Sequence, residues 1–249
     1  MRVTVCIRRV PDTATRIKIA SEGKSVDTSD VEFVINPYEE YALEQAVQIK
    51  EKHGGEVTVV TLGPEKSTPV VLKALALGAD NAIHLRTEDP QIDPGSIARS
   101  IADELKSHPF DILLFGKKGV DDDNQQVGPM VAELLNIPCI TQVVRLELSD
   151  DKATAQREVE GGGILVETTL PAAFTAEKDL TTPRYASLRE LVAARKKPIT
   201  VKDARQQRSS LEVVSIQYPP PRPPGKIVGK GVDAVPQLVK LLHEEAKVI

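Results

Sequence analysis

The sequence predicts an α/β protein built on a doubly wound, mostly parallel sheet with helices on both faces. Two alternating patterns predict this class. Buried-strand patterns, short and rich in branched residues, occupy residues 2–7, 56–62, 81–86 and 111–115. Amphipathic helical patterns lie among them, over residues 38–53, 96–107 and 124–136. Because strands that alternate with helices join through right-handed crossovers, we expect these segments to form one open sheet.

Two of the helices carry start signals. Asp93 followed by Pro94 predicts a capped helix with proline in its first turn. Asn36 followed by Pro37 predicts a turn into the first helix, because the fixed φ of proline suits the first helical position. We therefore expect both helices to begin at these prolines.

After residue 140 the pattern changes. Residues 140–175 form three strand-like runs with turns at 149–152 and 160–163, which predicts an antiparallel meander that extends the sheet or lies beside it. A polar excursion follows over 176–202, with a short basic helix and a strand-like return, and such long departures are often functional. We interpret its basic run Arg195–Lys197 as a solvated helix end.

The C-terminal segment is predicted to be an arm. The Pro-rich run 218–225 favours an extended, semi-rigid linker that cannot join a central strand. A final amphipathic helix follows, with an apolar side formed by Val235, Leu238, Val239 and Leu242. This side needs a surface to pack on, in its own domain or in another chain. We therefore divide the chain into a domain over 1–217 and an arm over 218–249.

Composition excludes several classes of partner. The chain has 249 residues and a formal net charge of −4, so no basic surface argues for nucleic acid or anionic lipid. No apolar run approaches the ~20 residues of a membrane span, and we expect no membrane insertion. Cys6 and Cys139 lie in apolar runs, which favours buried free thiols and offers no metal-ligand spacing. The strand-like start predicts a bacterial cytoplasmic protein, or a mitochondrial matrix protein if the source is eukaryotic.

The strongest candidate site follows the fourth predicted strand. Residues 111–135 combine a buried strand, a polar loop with Gly116 and Gly119, and a helix that opens near Asn124. In doubly wound sheets, ligands bind beyond the carboxyl ends of strands, where helix N-termini present free N–H groups. We interpret this loop as a phosphate-binding site. The alternative is that the acidic triplet Asp121–Asp123 only caps the helix and solvates a turn.

The loop does not match a known triphosphate motif. It lacks the Walker spacing, and no G-x-G-x-x-G follows the first strand. Three consecutive carboxylates would repel a triphosphate unless Mg²⁺ intervened, so a monophosphate is the easier ligand. Asn36 and the turn Leu62–Pro64 are expected at the same crevice, although each is also typical of an ordinary turn. The four histidines lie in unrelated contexts, and we expect neither a catalytic residue nor a metal site.

Seven segments carry a resemblance to a known family. They are VCIRRVPD (5–12), INPYEEYALEQAV (35–47), ALALGAD (74–80), GKKGVDDDNQQVGPMVAELL (116–135), EVEGG (158–162), TTPRYASLREL (181–191) and AARKKPI (193–199). In this order and spacing they resemble the β subunits of electron-transfer flavoproteins over nearly the whole chain. The resemblance implies one α/β nucleotide-binding domain and a C-terminal arm that embraces an α subunit.

The resemblance also implies cofactors and site residues. In the family the α subunit carries the redox-active FAD, and the β subunit holds a structural AMP. Carried over residue by residue, the AMP site would comprise Cys6 (through its backbone), Asn36, Pro37, Tyr38, Glu39, Leu62, Lys118, Gly119, Val120, Asp121, Asp122, Asp123, Asn124, Gln125, Gln126, Val127, Gly128 and Pro129. Val127 stands where some members have a hydroxyl residue, so backbone donors at the helix start would have to serve there.

The excursion 176–202 resembles the family's recognition loop, which docks onto flavin dehydrogenases, often acyl-CoA dehydrogenases. Leu188 occupies the position of the anchoring leucine, beside Arg184 and Tyr185, and an exposed leucine that enters a partner's pocket is a small hot spot. Alternatively, Leu188 and Leu191 could pack the short helix onto its own domain. The implied role is that of an electron carrier and not an enzyme, in which FAD passes electrons on to a quinone oxidoreductase.

Two other functions stay open at this stage. Electron-bifurcating relatives hold a second FAD in place of AMP and tend to have glycine where this chain has Asp122, which favours AMP here. A free-standing nucleotide-binding or nucleotide-hydrolysing α/β protein would be a monomer or homodimer with a triphosphate site. The missing Walker loop and the Pro-rich arm count against it.

Overall fold

A computed structural model describes residues 1–88, 93–205, 209–222 and 224–249. The strands are β1 (Arg2–Ile7), β2 (Arg9–Pro11), β3 (Phe33–Ile35), β4 (Glu56–Gly63), β5 (Asn81–Arg86), β6 (Ile112–Gly116), β7 (Cys139–Ser149), β8 (Lys152–Val159), β9 (Gly162–Thr169), β10 (Ala172–Ala176) and β11 (Ile199–Asp203). The helices are α1 (Pro37–His53), α2 (Thr68–Ala76), α3 (Pro94–Leu105), α4 (Val127–Leu135), α5 (Leu188–Ala194) and α6 (Val235–Leu241).

Nine of these strands form one mostly parallel sheet, in the order β11-β5-β4-β1-β6-β10-β7-β8-β9. The predicted α/β class is confirmed. The chain moves from β1 through β4 and β5 to one side, and then crosses back to place β6 on the other side of β1. The strand order therefore reverses at β1. In doubly wound sheets such a reversal leaves a crevice at the carboxyl ends of the strands, where ligands bind.

Two apolar layers sandwich the sheet. On one face, α1 and α2 cover the odd-numbered side chains of β1, among them Val3 and Val5, in one core cluster. On the other face, α3 and α4 cover Cys6 of β1 together with Val60 and Leu113 in a second cluster. Because successive side chains of a strand point to opposite faces, β1 is buried on both sides.

The predicted meander exists and extends the sheet, because β7, β8 and β9 pair antiparallel beyond β10. The sequence analysis missed β10 itself, which lies between β6 and β7 and pairs parallel with both. Its residues, Ala-Ala-Phe-Thr-Ala, are all buried. A strand buried on both faces shows no alternation of polar and apolar residues, so the period-2 signal is absent.

Helix starts agree with the sequence in two cases and differ in a third. Helix α1 begins at Pro37, and α3 begins at Pro94 with the Asp93 side chain accepting a hydrogen bond from the Ser96 amide at 2.7 Å. Helix α4 begins at Val127, three residues later than the predicted start at 124. Asp123 and Gln125 both have a φ of +54°, a left-handed conformation that keeps the loop out of the helix.

The basic run after α5 is not simply solvated, which corrects part of its interpretation. The Lys197 ammonium donates to the carbonyl oxygens of Leu75 and Ala79, at 2.8 and 2.6 Å. These carbonyls lie at the C-terminal end of α2, where free acceptors and the helix dipole favour a cation. Lys197 therefore fastens the 176–202 excursion to the α1–α2 face of the sheet.

The chain divides into two compact units, Met1–Ser215 and Ile216–Ile249. Within the second unit, the Pro-rich run 218–225 precedes α6, and position 223 of that run lies outside the described residues. Helix α6 continues as one π-helical turn over Leu242–Ala246. None of the helices in the described ranges combines the length and apolar character that crossing a bilayer requires.

Candidate functional site

A cleft of about 350 Å³ lies at the carboxyl ends of β1, β4 and β6, where the strand order reverses. Its apolar lining includes Leu62, Ile97, Ile101 and Phe115. Its polar lining includes most of the segment between β6 and α4, residues 117–126, which we call the loop 117–126. The end of this loop leads into the first turn of α4, where backbone N–H groups have no partner within the helix. The cleft thus offers both apolar surface and hydrogen-bond donors.

Asn36 holds the loop 117–126 in place. Its side-chain amide donates to the Lys118 carbonyl oxygen at 2.7 Å, and its side-chain oxygen accepts from the Val120 amide at 3.2 Å. The residue is fully buried and does not line the cleft. The resemblance placed Asn36 in the AMP site, and in the structure both groups of its side chain are engaged with the loop backbone. Its role is to position the loop.

Two cations pair with the three carboxylates of the acidic triplet. Arg8, which directly follows β1, pairs with Asp121 at 2.8 Å and with Asp122 at 2.5 Å. Lys118 pairs with Asp123 at 2.8 Å. Burial raises the pKa of Asp121, and the charge of Arg8 opposes that rise. The two cations therefore offset part of the negative charge that the sequence predicts would repel a triphosphate.

Glu39 adds a buried carboxyl to the floor of the cleft. It lies in the first turn of α1 and accepts a hydrogen bond from the Arg8 amide. Burial raises its pKa to about 8, although the Arg8 amide and the Arg8 charge act in the opposite direction. Glu39 is thus a group whose protonation can change near neutral pH.

Two glycines in the site are required by close packing. A Cβ on Gly128 would lie 2.9 Å from Thr175 Cγ2 and 3.2 Å from Phe115 Cγ, so glycine lets α4 approach the sheet. A Cβ on Gly116 would lie 2.8 Å from Glu39 Cγ and 2.9 Å from Tyr38 Cβ. The resemblance placed Gly128 in the AMP site. Although Gly128 lines the cleft, its closest constraint is the sheet behind it.

Most of the predicted site residues line one cleft. Those that do are Cys6, Glu39, Leu62, Lys118, Gly119, Asp121, Asp122, Asn124, Gln125, Gln126, Val127 and Gly128. Those that do not are Asn36, Pro37, Tyr38, Val120, Asp123 and Pro129. The second group lies beside the first in the chain, and within it the Val120 amide donates a hydrogen bond to the Asn36 side chain.

Several lining residues were missed by sequence reasoning. They are Arg8, Arg9, Thr28, Phe33, Ser67, Thr87, Ile97 and Ile101. Strands β2 and β3 pair antiparallel and bring Arg9 and Phe33 to the cleft, and the Arg9 guanidinium lies 3.2 Å from the centroid of the Phe33 ring. Arg8 and Arg9 belong to the segment VCIRRVPD, so their place directly after a strand end was the available signal.

Comparison with known proteins finds relatives that share one family name. The family model described as "Electron transfer flavoprotein domain" matches residues 24–206, well over half of the chain. The "Electron transfer flavoprotein subunit beta" of Bacillus subtilis is 38% identical, with 100% of each chain covered. The mitochondrial subunit beta of Oryza sativa subsp. japonica is 36% identical over 100% of each chain, and the subunit beta of Homo sapiens is 35% identical over 97% of this chain and 98% of its own. This similarity spans both the cleft and the C-terminal unit.

The chain belongs to the electron transfer flavoprotein beta-subunit family. The resemblance found in the sequence is therefore confirmed. The relatives are named as electron transfer subunits, and their names give no separate catalytic activity.

The segment that resembles the recognition loop of electron transfer flavoproteins is held by one ion-pair cluster. Arg184 donates to both carboxylate oxygens of Glu44 and pairs with Glu51 at 2.7 Å, both on α1. The hydrogen bonds that Arg184 donates to Glu51 and Glu44 raise its pKa, and Glu44 itself is buried. The sequence analysis treated Arg184 as a partner-binding residue. The structure shows its guanidinium bound to its own domain.

The two other predicted partner-binding residues are exposed. Tyr185 is 98% exposed and Leu188 is 78% exposed, whereas Leu191 is 41% exposed. Leu188 is the first residue of α5, and Ser187 caps that helix through a reciprocal pair of hydrogen bonds with Glu190. With so much of its surface exposed, Leu188 contributes little to packing α5 onto the domain.

The cysteines suggest no reactive thiol. Cys6 is buried as expected, and burial raises its pKa. Cys139 is only half-buried, which corrects the expectation for that residue, and its partial burial raises its pKa to about 11. Both thiols are thus disfavoured as thiolates. Among the described residues, no group of three or more His, Cys, Asp or Glu could hold a metal ion.

Proposed function

We propose that this chain is the nucleotide-holding subunit of a two-subunit electron carrier. In this proposal it binds AMP in the cleft and pairs with an α subunit that carries FAD. The complex accepts electrons from flavin dehydrogenases, such as acyl-CoA dehydrogenases, and delivers them to a quinone oxidoreductase. The observation that carries the proposal is the cleft itself, which is lined by apolar side chains, by the loop 117–126 and by the start of α4 at the reversal of strand order.

The residues of the cleft suit a nucleoside monophosphate. Small-molecule sites usually have volumes of about 300–1,000 Å³, and this cleft of about 350 Å³ lies at the lower end of that range. The N-terminus of α4 suits one phosphate, because free amides and the helix dipole both favour an anion. Arg9 adds a cation, and among the described ion pairs none joins it to a carboxylate. The apolar lining of Leu62, Ile97 and Ile101 suits a base.

AMP is favoured over a second FAD by two features of the cleft. FAD carries a whole flavin mononucleotide in addition to AMP, and a cleft of about 350 Å³ gives it little room. Asp122 lines the cleft, and its carboxylate is held there by Arg8 and by a hydrogen bond from the Asn124 amide at 3.2 Å. A second phosphate passing this carboxylate would meet negative charge.

The chain's own residues position ligands and do not transfer protons. FAD, when bound in the complex, supplies the redox chemistry. Asn36 holds the loop that would contact the phosphate, and Arg8 compensates its carboxylates. In this proposal no residue of the chain acts as a catalytic acid or base, so the chain is a carrier subunit and not an enzyme.

The surface proposed to meet dehydrogenases is the segment 176–202. Arg184 and Lys197 fasten it to α1 and α2, so that Leu188 and Tyr185 project from a fixed base. A few exposed apolar side chains suit a transient contact, since a carrier must release each partner quickly. The C-terminal arm is proposed to pack on the α subunit through the apolar side of α6, where Val235, Leu238 and Val239 are exposed. The compartment would be the bacterial cytoplasm or the mitochondrial matrix.

Co-expression with the proposed α subunit tests this function. The purified one-to-one complex should be yellow and release one AMP and one FAD per heterodimer on denaturation, measured by chromatography of the extract. Two FAD per heterodimer would favour the bifurcating alternative. A colourless chain that stays monodisperse alone and hydrolyses ATP would contradict the proposal and favour a free-standing nucleotide-hydrolysing protein.

A further inference from the structure

One buried hydroxyl in the cleft has no assigned role. Ser67 follows β4 and lines the cleft, and its side chain is almost fully buried. Its Oγ has no hydrogen-bond partner among the described residues. A buried hydroxyl without a partner is costly, so native structures usually supply one from protein, water or ligand.

The local backbone explains why the hydroxyl is free. Ser67 stands at the N-cap position of α2, where serine usually accepts a hydrogen bond from an amide of the first helical turn. Here a 3₁₀ turn over Glu65–Ser67 leads directly into α2, and Ser67 has a φ of −80° and a ψ of −10°, with no cap hydrogen bond from its side chain. The hydroxyl is therefore not used by the helix.

Gly63 leaves space for this hydroxyl. A Cβ on Gly63 would lie 2.8 Å from Ser67 Oγ. The Gly63 carbonyl oxygen is fixed by the Thr87 amide at 3.0 Å and by His84 Nε2 at 3.2 Å. The turn after β4 is thus held in a position where any side chain at residue 63 would crowd the Ser67 hydroxyl.

The place of Ser67 in the sheet says which part of a ligand it would meet. Ser67 follows β4 and the loop 117–126 follows β6, with β1 between them. Adjacent strands lie about 4.8 Å apart, so these two positions are separated by roughly 10 Å across the cleft. That separation is comparable to the span from a 5′-phosphate across ribose to a purine. Leu62 and Thr87 also line the cleft, and they lie at the ends of β4 and β5, on the same side of β1 as Ser67.

We propose that the Ser67 hydroxyl hydrogen-bonds the purine base of the bound nucleotide and so contributes to base recognition at the end of the cleft opposite the phosphate. This inference rests on the proposed binding of AMP. It adds a residue from the turn after β4, whereas the AMP site implied by the resemblance includes only Leu62, within β4, from this part of the chain.

The test uses the complex of this chain with its α subunit, stripped of nucleotide. Isothermal titration measures the affinity for AMP and for ribose 5-phosphate, which lacks the base. Ser67→Ala should weaken AMP binding about 5- to 20-fold, as expected for one hydrogen bond to a buried polar group, and should leave ribose 5-phosphate binding unchanged. Thr68→Ala is the matched control, because its hydroxyl bonds the Glu65 carbonyl oxygen at 2.8 Å and Thr68 does not line the cleft.

A second pair of variants guards against a folding effect. Gly63→Ala should weaken AMP binding by displacing the hydroxyl, and it should have no further effect when combined with Ser67→Ala.

Wild-type affinity for AMP in Ser67→Ala would overturn the inference while leaving the proposed function intact. Equal weakening of AMP and ribose 5-phosphate would also overturn it, because the hydroxyl would then not act on the base. A wild-type complex that binds no AMP would overturn the proposed function and this inference together.

Discussion

The cleft and the segment 176–202 solve different binding problems within one unit of the chain. At the cleft, side chains such as Asn36 and Arg8 bond to the loop 117–126 and hold it in place. In the segment, Arg184 turns inward to Glu44, and whole side chains such as Leu188 face solvent. A ligand kept for the life of the protein can be held by buried, preorganised backbone. A partner that must leave quickly is better met by a few exposed side chains on a fixed base.

The largest effect should follow from releasing the loop 117–126. Asn36→Ala removes one donor and one acceptor and leaves the Lys118 carbonyl and the Val120 amide without their partner. We expect a loss of about 2–4 kcal/mol in the free energy of unfolding. The complex should also lose most of its nucleotide. Urea unfolding and nucleotide extraction measure the two effects.

Asn81→Ala is the control for that substitution, because its amide makes a single long hydrogen bond of 3.4 Å to Glu56, outside the cleft. An Asn36→Ala complex with wild-type stability and full nucleotide content would show that the loop needs no anchor. The contrast between a preorganised cleft and an exposed segment would then be wrong.

Packing of α4 against the sheet should give the next largest effect. Gly128→Ala places a Cβ within 2.9 Å of Thr175 Cγ2, so the helix must shift away from the sheet. We expect a loss of about 1–3 kcal/mol in the free energy of unfolding, typical of overpacking. Gly162→Ala, whose Cβ would meet nothing within 4 Å, should change stability little. If the two variants are equally stable, Gly128 serves only ligand space.

Truncation of the exposed leucine should affect partner contact alone. Leu188→Ala should slow reduction of the complex by a flavin dehydrogenase about tenfold, equivalent to ~1.4 kcal/mol, because a small hot spot is lost. Stability and cofactor content should not change, since Leu188 is largely exposed. Stopped-flow measurement of flavin reduction at several dehydrogenase concentrations provides the rate. Leu211→Ala, also exposed and outside the segment, should leave the rate unchanged; equal rates for both variants would remove the segment from the docking surface.

The effect of Glu39 on stability should be spread over several pH units. Its pKa is raised to about 8 in the folded chain, so between the ordinary value of 4.5 and about 8 the folded state binds a proton that the unfolded state has released. The free energy of unfolding should therefore fall as pH rises through this range, by at most ~1.4 kcal/mol per pH unit, and level off above pH 8. Glu39→Gln should remove this fall while keeping an acceptor for the Arg8 amide.

Urea midpoints at pH 5.5, 7 and 8.5 check this dependence. Glu40→Gln is the neighbouring control, because the Glu40 carboxylate pairs with Lys73 at 2.6 Å and does not line the cleft. An unchanged pH profile in Glu39→Gln would mean that Glu39 is charged in the folded chain at neutral pH.

The sequence predicts those parts of the fold that depend on local pattern. The branched runs became β1, β4, β5 and β6, and Asp93 capped α3 as expected. Strand β10 was not predicted, because Ala172–Ala176 is fully buried and its sequence shows no alternation of polar and apolar residues. Helix α2 was also missed. Its residues are nearly all apolar, and a helix covered by both the sheet and α5 lacks a polar face.

In the site too, some features follow from local sequence and others depend on tertiary contacts. Its loop could be located from a strand, glycines and a helix start, since those signals lie within one stretch of chain. The pairing of Arg8 with Asp121 and Asp122 could not be predicted from local sequence, because it joins residues more than a hundred positions apart. The inward turn of Asn36 and of Arg184 also depends on tertiary contacts. For Asn36 the sequence suggested a ligand contact, and for Arg184 a partner contact. It did not show that both side chains bond to their own domain.

Hydrogen–deuterium exchange on the nucleotide-stripped complex tests the central claim most directly. Addition of AMP should slow exchange in peptides that cover residues 117–128, because their amides then bind the phosphate, and should leave peptides from 176–202 unchanged. Slowed exchange only outside 117–128, or no change at saturating AMP, would contradict the assignment of the cleft as the nucleotide site.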